Sequence, residues 1–248
     1  MLTKGRYCVR TAASAADLQA AQRLRNLAFH GSDAALDVDA FDDQCIHYLI
    51  EETATNRLVC VFRMLSLNGG QDIGRSYAAQ FYELEALKTF PGPMVEMGRF
   101  CVHPDVHDPD VLRIAWGAMT RYVDDHAVEL LFGCASFEGT DTSHYLDSFA
   151  MLRDRHLAPP RWLPRVKAPK VFRFANRLRR KPNLKAAQLA MPPMLRSYLM
   201  MGGWVSDHAV VDQKMNTLHV FTGVEVKAIP PARKRLLRAI SGEGLRRG

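Results

Sequence analysis

Residues 94–104, MVEMGRFCVHP, followed by residues 105–126, DVHDPDVLRIAWGAMTRYVDDH, decide the fold. The first run predicts a long strand that stops at Pro104, because proline cannot donate to a ladder. Asp108-Pro109 then opens a helix, with a capping acid followed by proline at the first helical position, where a missing N–H costs nothing. Val111, Leu112, Ala115, Ala118, Met119 and Tyr122 recur at helical spacing and give this helix an apolar face to about His126. Residues 128–136, VELLFGCAS, are the next strand.

On the N-terminal side, RYCVR (6–10) predicts a short strand. Ser14 with Asp17 three residues on resembles a capping box. The helix it opens runs to about His30, with Leu18, Ala21, Leu24 or Arg25, and Ala28 on one face. An acidic, turn-rich loop follows, GSDAALDVDAFDD (31–43). CIHYLIEE (45–52) and LVCVFRML (58–65), separated by TATNR, form an antiparallel pair, and FYELEALKTF (81–90) predicts a short helix stopped by Pro91 and Pro93. On the C-terminal side, TDTSHYLDSFAMLRDRHL (140–157) and PPMLRSYLMMG (192–202) predict helices, and WVSDHAVVD (204–212) and TLHVFTGVEV (217–226) the last two strands. Pro230-Pro231 opens a short basic terminal helix. The order β-α-β-β-(α)-β-α-β-α-β-β, with crossover helices in a largely antiparallel sheet, predicts a mixed α/β layer fold.

The chain has 248 residues, 48% apolar and 24% charged, an ordinary soluble composition. No apolar window reaches the length of a spanning helix, and the N-terminus lacks the apolar core of a signal peptide, so a cytoplasmic location is expected. Five scattered cysteines without a C-x-x-C pair predict reduced thiols rather than disulfides or a zinc site. The net charge of +7 is concentrated: residues 161–185 hold ten Lys or Arg and no acid, leaving 23 basic against 26 acidic residues elsewhere. The tail adds Arg233, Lys234, Arg235, Arg238, Arg246 and Arg247 against Glu243. Basic appendages on a near-neutral core attract nucleic acid, anionic lipid or an acidic protein. The expected organisation is one domain over 1–228, including the basic segment, and a basic tail over 229–248. No phosphate-binding loop, post-strand G-x-G-x-x-G or G-x-S-x-G occurs. His103 and His107 are separated by Pro104 from any continuous helix and are expected to be solvated rather than metal ligands, so no metal is expected.

The strand order resembles that of the GNAT acetyltransferases. RLRNLAF (23–29) with DVDAFDDQCIHYLIEE, LVCVFRML and VEMGRFCVHP together resemble the acyl-homoserine-lactone synthases. They resemble more closely the hemolysin-like acyltransferases that make lyso-ornithine lipid. LFGCASFEGTD and MPPMLRSYLMMGGWVSDHAVVDQKMNT are similar to the latter group, so the resemblance covers roughly residues 6–228. It implies a GNAT-like, largely antiparallel twisted sheet flanked by helices, with splayed central strands. It also implies transfer of a 3-hydroxyacyl group from an acyl carrier protein thioester to the α-amine of L-ornithine, with no permanently bound cofactor. Glutamine or another amine as acceptor, and an acyl-homoserine-lactone synthase, are the enzymatic alternatives. A basic lipid- or nucleic-acid-binding protein on the same fold is the non-enzymatic one, although no nucleic-acid motif is present.

Aminolysis of a thioester needs donors for the oxyanion, a positioned amine and a base for the α-ammonium. The resemblance carries an E-x-x-R pattern onto Glu96 and Arg99, Glu96 as base and Arg99 orienting it or binding substrate. Residues three apart on a regular strand point to opposite faces, so a bulge at Gly98 is expected. A D-x-x-D pattern falls on Asp39 and Asp42. Arg63, alone in an apolar run, needs a carboxylate partner. These five are expected to form one charged network that binds the acceptor, two carboxylates suiting a cationic amino acid; the alternative for the aspartates is a solvated loop. Ser136, before Phe137 and Gly139, is a candidate donor to the oxyanion or pantetheine. The chain departs from the general GNAT pattern after the strand at 94–104: HPDVHDPDVLRIAWGA replaces the glycine-rich diphosphate loop, and Asp105, Asp108 and Asp110 would repel a diphosphate. A carrier protein is therefore expected over coenzyme A, with Arg113 as a phosphate or carrier contact. Arg165, Lys167, Lys170, Arg173 and Arg177 are candidates for docking an acidic carrier or contacting an anionic membrane from the cytoplasmic side. A solvated, poorly ordered insertion is the plain alternative. Cys101 and Cys134 are expected to be core residues rather than nucleophiles.

Overall fold

The computed structural model describes residues 1–242, so Glu243, Arg246 and Arg247 of the basic tail lie outside the described residues. β1 (Leu2–Lys4) and β2 (Tyr7–Thr11) make a hairpin turned by Gly5 at φ 58. α1 (Ala15–His30) begins where Ser14 Oγ accepts the Asp17 N–H at 3.1 Å, as the sequence predicts, and ends at Gly31, left-handed at φ 72. β3 (Ile46–Glu52) and β4 (Leu58–Leu67) pair antiparallel, with Tyr48 stacked on Phe62 at 4.7 Å.

FYELEALKTF is not an α-helix. Tyr82–Glu83 is β5, and Glu85–Thr89 is a 3-10 turn. The physical reason lies in the spacing: Leu84, Leu87 and Phe90, all buried, recur every three residues, the period of a 3-10 turn. Gly70 permits the fit of this region, since a Cβ there would stand 2.1 Å from the Leu87 carbonyl oxygen.

β6 (Met94–Val102), α2 (Pro109–Asp125) and β7 (Leu130–Glu138) follow as expected, Asp108 capping α2 through its carboxylate to the Asp110 N–H. α3 (Leu146–Arg155) comes next. The basic segment is folded rather than a loose insertion: it contributes β8 (Arg165–Val166), β9 (Val171–Phe172), α4 (Phe174–Arg177) and the start of α5 (Leu184–Ala190), a helix the sequence pattern did not reveal. α6 (Pro193–Met200), β10 (Trp204–Val205), β11 (Ala209–Asp212), β12 (Thr217–Glu225) and α7 (Pro231–Ser241) complete the order.

The chain divides into two compact units. The first comprises residues 1–66, 97–128 and the chain from Pro230. Its strands run β1-β2-β3-β4-β6, with α1 packed through Ala21 and Leu24 on Leu49, Val61 and Cys101. α7 belongs here: Gly117 of α2 leaves the space that Ile240 fills, and Arg238 binds both Asp124 oxygens at 2.9 Å. The second unit comprises residues 67–96 and 129–229. Its strands run β6-β7-β12-β11-β9, and β5 pairs with β8. Here Phe137, Phe149, Phe174, Leu195 and Val220 form the core, with Phe149 stacked on Phe174 at 5.2 Å. β6 has residues in both units, and so does β4 through its last residue, Leu67. Strands of mostly antiparallel pairing flanked by helices make this a GNAT-like α/β fold.

Candidate active site

In the first unit the loop after α1 closes onto a charged network. Asp42, 4% exposed, accepts from Arg25 Nη1 at 2.7 Å, Arg63 Nη1 at 2.6 Å and Gln22 Nε2 at 2.9 Å. Asp39 accepts from Arg63 at 2.6 and 2.7 Å and from Arg99 Nη2 at 2.9 Å. Asp37 meets Arg25 Nε at 2.8 Å and Arg99 Nε at 3.0 Å, and its carbonyl accepts from Arg25 Nη2. Three guanidiniums and three carboxylates thus neutralise one another, with Arg25, Arg63 and Asp42 out of water, where such pairing is the condition for burying them at all. Burial pushes the Asp39 and Asp42 carboxyls up, but Arg63 at Asp39, and Arg25, Gln22 and Arg63 at Asp42, outweigh it and hold both below the usual carboxylate range. His47 Nε2 lies 2.9 Å from the Asp42 carbonyl oxygen, and burial lowers its pKa.

Asp39, Asp42, Arg63 and Arg99 therefore come together as the sequence predicts. Arg25, Asp37, Gln22 and His47 were not among the predicted residues. The signal for Arg25 was present, since a long cation fell on the apolar face of α1, where it demands a buried partner.

β6 does depart from regular alternation, but not at Gly98. Arg99 itself is left-handed, at φ 52. That conformation is uncommon for a residue with a Cβ. Gly98 is not required there: a Cβ would make only ordinary contact, 3.8 Å from Arg63 Nε. Glu96 and Arg99, three residues apart, serve different partners. The Glu96 carboxylate, in the second unit and 4% exposed, accepts the backbone N–H of Tyr77 at 2.7 Å and of Ala78 at 2.8 Å. It anchors the 3-10 turn Ala78–Gln80.

Ser136 is exposed near the end of β7 and opposes His219 of β12 in register. His219 Nδ1 lies 3.1 Å from the Tyr82 hydroxyl, which donates to the His219 carbonyl at 2.8 Å. Burial depresses the His219 pKa to about 4. Its Nε2, like that of fully buried His208, has no hydrogen-bond partner among the described residues. Tyr198 is buried, and burial with the nearby Glu96 and Cys134 raises its phenol. Cys101 is a core residue whose thiol burial pushes up to about 12, while Cys134 is half-buried.

At the start of α2 the Asp108 carboxylate takes the Asp110 N–H at 2.9 Å, along with Arg6 at 2.7 Å and Tyr7 at 3.0 Å. The helix end that would meet a diphosphate is capped by the protein's own anion. Arg113, one turn in, is exposed and pairs with Asp110. Arg165, Arg173 and Arg177 are exposed, Lys167 Nζ donates to the Ala79 carbonyl at 2.6 Å, and Lys170 Nζ to Gln213 Oε1 at 3.1 Å.

This strand order, and a match of residues 24–117 to the acetyltransferase (GNAT) domain family, define an acyltransferase of the GNAT class. An N-acyl amino acid synthase from uncultured soil microbes shares the fold, with a TM-score of 0.51 at 10% identity over 96% of this chain and 97% of that one. An L-ornithine Nα-acyltransferase of Rhodobacter capsulatus is 31% identical over 96% of this chain and 97% of its own length. A protein of the same name from Brucella abortus is 28% identical over 89% and 85%. The chain belongs to the L-ornithine Nα-acyltransferase family.

Proposed function

We propose that the protein transfers a 3-hydroxyacyl group from an acyl carrier protein thioester to the α-amine of L-ornithine, giving lyso-ornithine lipid in the first step of ornithine lipid biosynthesis. The observation that carries this reading is the 31% identity to an L-ornithine Nα-acyltransferase over nearly the whole of both chains. In the reaction the amine nitrogen attacks the thioester carbonyl, the C–N bond forms, and the C–S bond breaks to release the carrier thiol. The ammonium proton must leave first. Glu96 is the proposed base, acting through water, with its carboxylate oriented by the Tyr77 and Ala78 N–H groups.

Arg99, Asp39, Asp42 and Arg63 are proposed as positioning residues that order residues 31–44 for the acceptor. Their mutual saturation favours this over direct pairing of the two aspartates with the ornithine side chain. Ser136 is the proposed donor to the oxyanion or pantetheine. The carboxylate cap on α2 supports a carrier donor over coenzyme A, whose diphosphate would meet Asp108. Arg113 is the proposed phosphate contact. The exposed cations Arg165, Arg173 and Arg177, with Lys167 and Lys170, are proposed to dock the acidic carrier. An amphiphilic product also fits peripheral attachment to an anionic membrane. No helix among the described residues is long and apolar enough to cross one.

The test is acyl transfer by purified protein from 3-hydroxyacyl carrier protein, and from the matching coenzyme A thioester, to a panel of amino acids, with products identified by mass spectrometry. Product with ornithine from the carrier is expected. Product with glutamine or another amine alone would reassign the acceptor, and preference for coenzyme A would reassign the donor.

A further inference from the structure

Between Asp154 and Asp207 the chain contains no acidic residue, and twelve Lys or Arg lie in that interval. α5 and α6 occupy its second half. α5 buries Ala187 and turns Leu184, Lys185, Gln188 and Leu189 outward. α6 buries Leu195 and Tyr198 and turns Pro193, Arg196 and Met200 outward. Leu189 is 85% exposed and Met200 53%. Both helices stand in the second unit, and α5 is held there by Ser148 Oγ donating to the Ala187 carbonyl at 2.9 Å. Lys181, Lys185 and Arg196 are exposed and make no ion pair among the described residues.

Single exposed leucines are common on soluble proteins. An exposed leucine and methionine on a segment whose Lys181, Lys185 and Arg196 are unneutralised, the nearby Asp147 being taken up by Arg180 and the Asn183 N–H, is a different composition. It is that of a surface lying in the headgroup layer, with apolar side chains entering the acyl boundary and cations meeting lipid phosphates. We propose that the outward faces of α5 and α6 dock the protein onto an anionic lipid bilayer, Leu189 and Met200 entering the apolar boundary while Lys181, Lys185 and Arg196 meet the headgroups. The inference deepens the proposed function, which supplies a lipid product to deliver there. A bilayer satisfies both halves of this surface, hydrocarbon for the leucine and phosphate for the cations.

The experiment is sedimentation of the full-length protein with phosphatidylcholine vesicles and with vesicles in which phosphatidylglycerol is mixed. Lys181→Glu/Lys185→Glu and Leu189→Asp are the variants, and Leu236→Asp on α7 is the control. Binding only to the anionic vesicles, weakened by salt, is expected, with each of the first two variants binding about tenfold less and the control unchanged. Turnover of a soluble donor and acceptor without lipid should stay at the wild-type rate in all three. Equal binding to neutral vesicles, no binding, or wild-type binding by the variants would overturn the inference. So would an effect confined to KM for the carrier without lipid, which would make this face a carrier surface. Vesicle binding by a protein that acylates no amine would sink the proposed function and leave this inference standing.

Discussion

Arg99 places Nη2 2.9 Å from Asp39 Oδ2 while its own backbone is left-handed at φ 52. The backbone position costs an ordinary side chain on the order of 1 kcal/mol or more, and the pairing with Asp37 and Asp39 offsets it. Two substitutions separate these terms. Arg99→Gly removes the ion pairs and relieves the backbone, whereas Arg99→Ala removes the same pairs without relief. Arg99→Ala should therefore be the less stable of the two by about 1 kcal/mol in urea unfolding. The reverse order would show that φ at this position stores no strain.

Asp42 should be the costliest carboxylate to remove. It alone accepts from Arg25, Arg63 and Gln22 together, at 4% exposure. Asp42→Ala would leave buried cations short of a counter-charge, a loss of about 3–5 kcal/mol. Asp105, 77% exposed beside Arg57, is the contrast: its alanine variant should change stability by less than about 0.5 kcal/mol. Denaturant midpoints of the two variants check this directly, and similar losses would mean that the network is not held out of water.

The long amphipathic and capped elements were legible in the sequence: Ser14 capping α1, Asp108-Pro109 opening α2 and the β3–β4 pair are local signals with local causes. The 3-10 turns around Gly70 were not, because their shape follows from Leu84, Leu87 and Phe90 packing at three-residue spacing, which a short apolar run does not distinguish from a helix. The strands of the basic segment were hidden for a related reason. Arg165–Val166 and Val171–Phe172 are two-residue strands defined by their partners β5 and β11, far away in the chain. At the candidate site, spacing and resemblance found Asp39, Asp42, Arg63 and Arg99, but not that Glu96 would turn to the Tyr77 and Ala78 amides. Side-chain direction at a break in a strand depends on a backbone angle that no composition encodes.

That orientation changes what Glu96→Gln should do. A glutamine keeps one acceptor oxygen but turns an NH2 toward the second backbone N–H, so one of the two anchors is lost. We expect kcat to fall at least a hundredfold, the size of a general-base contribution, with about 1–3 kcal/mol of stability lost as well. The pH–rate profile of the residual activity separates these effects, since loss of the acidic limb accompanies loss of a base and not a loosened turn. Wild-type turnover in a folded Glu96→Gln protein would confine Glu96 to a structural role.

His219 should write itself into the pH dependence of stability. Burial depresses its folded pKa to about 4, against about 6.5 when unfolded. Between these values the unfolded chain binds the extra proton, so the contribution is fully present above about pH 6.5 and is lost as pH falls toward 4. The size is roughly 3 kcal/mol at most. His47, also lowered by burial, acts in the same direction. His219→Gln should flatten the curve of urea midpoint against pH across that window while lowering its neutral plateau, because the contact with the Tyr82 hydroxyl is weakened. An unchanged slope would show that His219 is protonated or solvated in the folded protein.

Carrier recognition is testable at Arg173 and Arg177, exposed at either end of α4. Neither sustains the core, which α4 enters through Phe174. Arg173→Glu/Arg177→Glu should raise KM for an acyl carrier protein about tenfold or more and leave a minimal acyl-pantetheine thioester nearly unaffected. The reason is that two charge reversals act on an acidic partner and not on a small neutral one. The effect on the carrier should shrink with added salt, as screening removes the difference between variant and wild type. Equal changes with both donors would place the two arginines at the thioester itself and discard the docking role.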